Sequence, residues 1–210
     1  MKLERALEEK ELKTLDDKLQ HNNRLLRRMV RFLWVWISLA LVIGGIVFFW
    51  MKNRNEVYLL GTTVVLYIGI GVWVAGKDYG ALRKANKSIE YLKSNNRVTV
   101  VSVRADKYYE LKEQEDEGVF YLFQLEEDKV LSFGGQEFYP NSQFPNDQFD
   151  IVEARGLYNE VLLLEIYTYG SKIAPLLVLE GQQKWDVLSS GQYPDPYQMT
   201  IVNGKVEDFI

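Results

Sequence analysis

The side chains able to perform chemistry are few and scattered. The chain has one histidine, His21, and no cysteine. Thiolate nucleophiles, thiolate metal sites and disulfides are therefore excluded, and one imidazole cannot build a multi-histidine metal site. His21 stands between Gln20 and Asn22 in a helix-forming stretch, where a solvated surface imidazole is the expected role. The Ser171-Lys172 pair is an adjacent dipeptide in the turn sequence TYGSKIAP, not a serine and a base spaced for proton transfer. Carboxylates remain. Asp147, Asp150 and Glu153 follow one another along a loop and strand, and Glu165 interrupts an apolar strand. Paired carboxylates can serve as acid and base in hydrolysis, but in a segment this acidic solvation is the default reading. The segments EQEDEG (Glu113–Gly118) and EEDK lack the spaced Asp/Asn/Gly loop ending in Glu that calcium requires, and read as charged turns. No glycine-rich phosphate loop and no zinc spacing occur. The expectation is a protein with no catalytic, cofactor-binding or metal-binding residues.

Two apolar runs organise everything around these residues. Phe32–Met51 and Val57–Gly76 each hold 20 residues without a charge, separated by the polar loop Lys52–Glu56. A helix of about 20 residues rises roughly 30 Å, the hydrocarbon thickness of a bilayer. So short a loop returns the chain directly, which predicts a transmembrane helical hairpin over residues 32–76. Arg24, Arg27, Arg28 and Arg31 precede it and Lys77, Arg83, Lys84 and Lys87 follow it, whereas the loop carries only Lys52 and Arg54. That bias places both termini in the cytoplasm, at a plasma membrane or, in a bacterium, the inner membrane. Trp34 and Trp36 match Trp73 in depth at one interface, and Trp50 and Tyr58 mark the other, as amphipathic rings do at headgroup level. The expected membrane anchors are thus Arg27, Arg28, Arg31, Trp34, Trp36, Trp50, Tyr58, Trp73 and Lys77. A 31-residue leader and the lack of a small-x-small site argue against a cleaved signal peptide.

Charge divides the remainder. Met1–Arg31 has nine basic residues against six acidic ones, and Lys77–Arg97 has six against two. Val98–Ile210 has eight against twenty. Basic flanks beside the bilayer favour anionic headgroups, while the acidic domain would be repelled from them and makes a poor nucleic-acid partner.

Residues 1–31 lack Gly and Pro and read as one helix. Leu12, Leu15, Leu19, Asn22, Leu26 and Met29 form a heptad-like seam, with Leu3 and Leu7 out of phase. Residues 77–96 form a second helix with Leu82, Ala85, Ile89 and Leu92 at matching spacing, ending at Ser94-Asn95-Asn96. Extending the hairpin register sets Leu26 against Leu82, Leu19 against Ile89 and Asn22 beside Ala85 and Asn86. Within the spans, Ala40 then meets Gly69 and Ile37 meets Gly71, small residues that let backbones approach. A continuous antiparallel stalk is favoured over an independent coiled coil.

From Arg97 the period changes to two. Strands are predicted at Arg97–Arg104, Val119–Leu125, Lys129–Phe133, Phe149–Arg155, Glu160–Tyr169 and Leu176–Leu179. A tight hairpin is predicted around Asn203-Gly204, a bulge or bend at Gly134-Gly135, and no helix beyond Asn96. The predicted fold class is a membrane α+β protein: an N-terminal helix, a two-span transmembrane helical hairpin and a C-terminal antiparallel all-β domain over 97–210, as a small barrel, roll or sandwich. The function expected is a membrane-anchored cytoplasmic interaction or regulatory module without catalysis. Its β domain binds a protein or small ligand through aromatic loop residues Phe138, Tyr139, Phe144, Phe149, Tyr193 and Tyr197. Its partners are a bilayer with anionic headgroups and a protein or second copy, with no nucleic acid. The alternative is an oligomeric pore-forming or membrane-disrupting effector gated by the β domain, assembled through Thr62, Gly69 and Gly76.

Overall fold

A run of good helix formers still leaves a helix where a neighbouring strand offers backbone partners, and this happens at once. In the computed structural model, which describes residues 2–50, 53–126 and 128–210, β1 (Lys2–Arg5) pairs antiparallel with β2 (Val98–Arg104), Leu3 opposite Val100. The single helix expected over residues 1–31 is thereby corrected: α1 spans Glu9–Trp50. Met1, Met51 and Lys52, assigned above to that helix, the first span and the loop, lie outside the described residues. The chain forms two compact units: the N-terminal residues through Arg5 with Val98–Ala154 and Leu163–Ile210, and Ala6–Arg97 with Arg155–Leu162.

The second unit is a helical pair. Glu8 donates its N–H to the Glu11 carboxylate (2.8 Å), which fixes the start of α1 three residues upstream of its acceptor. α2 spans Arg54–Asn95, so the last residues of the Lys52–Glu56 loop expected are helical. Asn53 caps it, accepting from the Asn55 N–H at 3.2 Å. Asn96 ends it in the left-handed region, φ 50°, with its N–H on the Leu92 carbonyl. Its side chain accepts in turn from the Leu7 N–H at 3.1 Å. Each helix has 42 residues, about 63 Å of rise, and each is long and apolar enough to cross a membrane.

The polar ends of α1 and α2 meet along a seam. Asn22 donates to Asn86 and Asn86 to Asn23, both at 2.9 Å. Lys93 pairs with Asp16 at 2.5 Å, and Leu15, Ile89 and Leu92 are buried nearby in sequence. Further along, the space above Gly71 is filled by Trp36, not Ile37: a Cβ there would stand 2.6 Å from the indole nitrogen. Trp36 stacks on Tyr67 with centroids 4.3 Å apart, packing between the two helices. Gly69 faces open space and Gly44 meets Val64, so the close approach expected at Ala40–Gly69 is made elsewhere. The turn Arg155–Leu162 closes this unit. Lys18 donates to the Leu162 carbonyl at 2.7 Å, and the Leu157 N–H donates to Ser88 Oγ at 2.7 Å. Gly156 permits the second contact, since a Cβ there would lie 2.1 Å from Ser88 Oγ.

The other unit contains two sheets. β6 (Gln148–Arg155) and β7 (Val161–Thr168) extend β1 and β2 into a four-stranded sheet ordered β1-β2-β6-β7. The second sheet holds β3 (Tyr108–Leu111), β4 (Val119–Glu126), β5 (Lys129–Gly135), β8 (Leu177–Leu179) and β9 (Thr200–Asn203), ordered β8-β3-β4-β5-β9. Because β8 runs parallel to β3, the sheet is mixed, which corrects the antiparallel all-β expectation. Helix α3 (Gln182–Ser189) is a second correction.

β4 explains the layering. Val119, Tyr121 and Phe123 enter one core with Phe133, Phe144, Phe149 and Ile151, while Phe120 and Leu122 enter another with Leu179, Tyr193 and Val206. Val187 and Leu188 of α3 cover that second core. A strand buried on both faces must be apolar throughout, as VFYLF is. The bulge lies at Gln124/Glu126 and not at the glycines, because Gly134 is needed flat beneath Phe120, whose Cα a Cβ would approach to 2.7 Å. No hairpin forms at Asn203-Gly204. β9 is followed by a 3-10 turn, Val206–Phe209, in which the Lys205 N–H donates to Asp208 at 2.7 Å.

Candidate functional site: an aromatic and acidic patch on the β unit

The loop between β3 and β4 is built by its own acids. Asp116 (φ 67°) and Gly118 (φ 83°) take left-handed conformations, and a Cβ on Gly118 would fall 2.1 Å from the Gly135 carbonyl carbon. The Glu117 carboxylate folds back to accept from the Gln114 N–H (3.1 Å) and the Glu115 N–H (2.6 Å). Glu113 accepts from the Gly118 N–H at 3.2 Å and from the Tyr139 hydroxyl at 2.5 Å.

Beneath this loop α3 inserts Lys184, which has no exposed surface. Its ammonium donates to the Lys112 carbonyl at 2.7 Å, pairs with Glu117 and stands 4.6 Å from the Phe120 ring centroid. Burial works to raise the Glu117 carboxyl, but the Lys184 ammonium and the backbone N–H donors prevail and hold it down to about 2. Tyr197 rests edge-on against Phe120 at 5.2 Å, and Trp185 lies 5.5 Å from the Lys184 nitrogen.

Three aromatic side chains of this network reach solvent: Tyr139 at 42 %, Trp185 at 37 % and Tyr197 at 66 % exposure. Glu115 and Asp116 are exposed beside them. The hydrogen bond to Glu113, then burial and the neighbouring acids, push the Tyr139 phenol up to about 12. Burial first, then the charges of Glu117 and Asp195, also raise Tyr197. Both phenols are neutral donors at physiological pH. Pre-ordered rings rimmed by carboxylates suit a cationic partner, whose guanidinium or ammonium can lie on a ring face and reach an acid.

Of the six aromatic residues expected to make contacts, the structure leaves only Tyr139 and Tyr197 on the surface. Phe138, Phe144 and Phe149 belong to the first core and Tyr193 to the second, a correction with a simple cause. Loop position does not bring exposure here, because these loops fold their rings inward, Phe144 edge-on against both Tyr121 and Phe149. Trp185 and Lys184 carry little local signal, because QQKWDVLS sits among Gly, Gln and Ser. Its one signal is a lysine beside a tryptophan.

The other chemistry-bearing residues are dispersed. Lys172 donates to the Asn141 carbonyl at 2.6 Å, and the Ser171 N–H donates to Asp147 at 2.7 Å. Asp150 accepts from the Tyr169 hydroxyl at 3.1 Å. Phe149 and Ile151 point into the core, so strand alternation sends Asp150 and Glu153 to opposite faces. His21 is exposed on α1 and lines an open cleft with Asp17, Lys18 and Leu162. Among the described residues no group of three or more His, Asp or Glu side chains is placed to hold a metal ion. On the helical unit, Arg27, Arg28, Arg31, Trp34, Trp50, Tyr58, Trp73 and Lys77 are exposed, and Trp36 is half-buried. Comparisons with protein-family models, with curated proteins and with solved structures each find no match to the chain.

Proposed function

We propose that the chain is a membrane-anchored interaction module without a catalytic step of its own. In this reading the helical pair crosses the bilayer with both termini in the cytoplasm, and the β unit binds a cationic protein segment. One observation carries it. Phe32, Trp34, Val35, Leu41, Phe49 and Trp50 on α1, and Leu59, Val65, Leu66, Ile70 and Trp73 on α2, are all more than half exposed. So large a contiguous apolar surface marks a partner or a membrane, and 20 uncharged residues in each helix match a bilayer. The arginines and lysines flanking the runs favour the cytoplasmic side. The patch of Tyr139, Trp185 and Tyr197 with its acidic rim supplies the binding half.

The test has two arms on the full chain. It should stay in membranes through alkaline carbonate extraction, with a cysteine at Asn53 labelled from outside intact cells and one at Asn203 protected. Release by carbonate, or the reverse labelling, overturns the anchor. A photocrosslinking residue at Tyr197 should capture a protein whose yield falls with salt and with Glu115→Lys plus Asp116→Lys. Yield indifferent to both removes the cationic partner.

A further inference from the structure

α1 and α2 leave a cleft of about 400 Å³ where the apolar runs meet their basic flank, lined by Arg28, Phe32, Leu33, Trp36, Ile70, Gly71, Val74 and Asp78 among others. Its volume is that of a small-molecule site. Trp36, about two helical turns beyond Arg28 in the lining, stacks on Tyr67 and donates to the Tyr67 carbonyl at 3.4 Å. The lining carries one cation, Arg28, and one anion, Asp78, both exposed and neither in an ion pair among the described residues. No Asp or Glu lies between Asp17 and Glu56, and Asp78 is the next acid after Glu56. Asp78 is thus the one acid among the cleft's lining residues, with Lys77, Arg83 and Lys84 near it in sequence and Arg28 the one cation lining the same cleft.

We infer that this cleft holds a phospholipid whose headgroup carries a primary ammonium, phosphatidylethanolamine in particular. The phosphate meets the Arg28 guanidinium, the ammonium donates to the Asp78 carboxylate, and an acyl chain enters between Phe32, Leu33, Ile70 and Val74. Charge complementarity selects this occupant. A purely anionic headgroup satisfies Arg28 and is repelled by Asp78, while a quaternary ammonium satisfies the charge but has no N–H to give. From Arg28 to Trp36 the helix rises about 12 Å, room for headgroup, glycerol and the first part of one chain. Tyr67 and Trp36 then form a floor that turns the remaining carbons out into the bilayer.

The inference rests on the membrane reading, and the experiment keeps the two apart. Full-length protein in detergent is titrated with phosphatidylethanolamine, phosphatidylcholine and phosphatidylglycerol of identical acyl chains, and bound lipid is counted by native mass spectrometry. Phosphatidylethanolamine should be retained about tenfold over the other two, the size of one charge-assisted hydrogen bond. Asp78→Asn should abolish the preference while lipid still binds, and Arg28→Gln should lower retention of all three. Equal retention by the wild type, or a preference surviving Asp78→Asn, overturns the inference. If carbonate extraction releases the protein, the membrane reading fails as well. If the chain stays in the membrane without lipid selectivity, only the cleft assignment fails.

Discussion

Phe49 and Phe123 are the same residue used in opposite ways. Phe49, on α1, is 89 % exposed, and Phe123, in β4, has no exposed surface and touches the rings of Tyr108, Phe133 and Phe149. The helical pair carries its large apolar side chains outward and joins its polar ends through Asn22, Asn86, Asp16 and Lys93. The β unit carries its phenylalanines Phe120, Phe123, Phe133, Phe144 and Phe149 inward and leaves Glu115 and Asp116 outward. Burial from water drives the second arrangement, whereas apolar helix faces that look outward call for a cover from outside the chain, a membrane or a partner. One chain thus covers its apolar faces in one region and leaves them open in the other.

The largest expected effect breaks or upholds that contrast directly. Phe123→Ala should cost about 3–5 kcal/mol in chemical denaturation of the β unit within the full chain, the cavity price of a buried ring. Phe49→Ala should leave its midpoint unchanged. A comparable loss at Phe49 would mean that its exposed face is covered by protein and not by lipid.

The next effect exchanges solvent for charge. Val42 is exposed on α1, and Val42→Arg should cost roughly 2.5–3.5 kcal/mol of insertion at a span's centre. The measurement is the fraction retained after carbonate extraction. Ile201, also exposed but on β9, should accept Arg within about 0.5 kcal/mol of unfolding free energy. Equal tolerance at both positions would erase the difference between the two regions.

How far the sequence discloses this contrast depends on how local each cause is. Both long helices follow from composition, and Asn96 ends α2 because an Asn accepts the left-handed conformation that a helix stop needs. β4 is legible from VFYLF, but its second buried face is not, since that depends on α3 and Leu179 arriving from far along the chain. Leu7 was the local hint that α1 begins late: it falls outside the seam, is buried, and its N–H is taken by Asn96. The patch was half visible. Tyr139, Tyr197 and Phe144 read alike as loop aromatics, yet Phe144 goes inside, and no local signal separates them. Lys184 pairs with Glu117 across 67 positions, which periodicity cannot register.

A smaller effect should appear in acid, and only in the β unit. Glu117 is held at about 2 against an ordinary 4.5. A carboxyl depressed by folding contributes stability that is complete above the unfolded value and is lost as pH falls toward the folded one. The urea midpoint of the β unit should therefore fall between about pH 4.5 and 2. Glu117→Gln should start lower, because Lys184 is left buried without its counter-charge, and should show a shallower dependence across that window. An unchanged slope would remove Glu117 as the source.

The smallest effect probes how the helical pair holds its polar ends. Asn22 donates to Asn86, and Asn86 donates to Asn23, so the three amides form a chain in which Asn86 is both acceptor and donor. Asn22→Leu removes the donor to Asn86 Oδ1, but that side chain is only half-buried, so water can replace it. The cost should be no more than about 1 kcal/mol, the net worth of one hydrogen bond. Leu would also add apolar surface near Ile89 and Ala85, which offsets part of that loss. If instead Asn22 set the pairing of two parallel chains, Leu would change the oligomeric state. Cross-linking separates these outcomes. Facing residues in packed helices have axes roughly 8–10 Å apart, beyond a disulfide and within a short bifunctional reagent. Cysteines at Leu26 and Leu82 should join within one chain, with equal yield in wild-type and Asn22→Leu backgrounds. A Leu19-to-Leu19 dimer lost with Asn22→Leu would mean that the seam serves two chains instead of one.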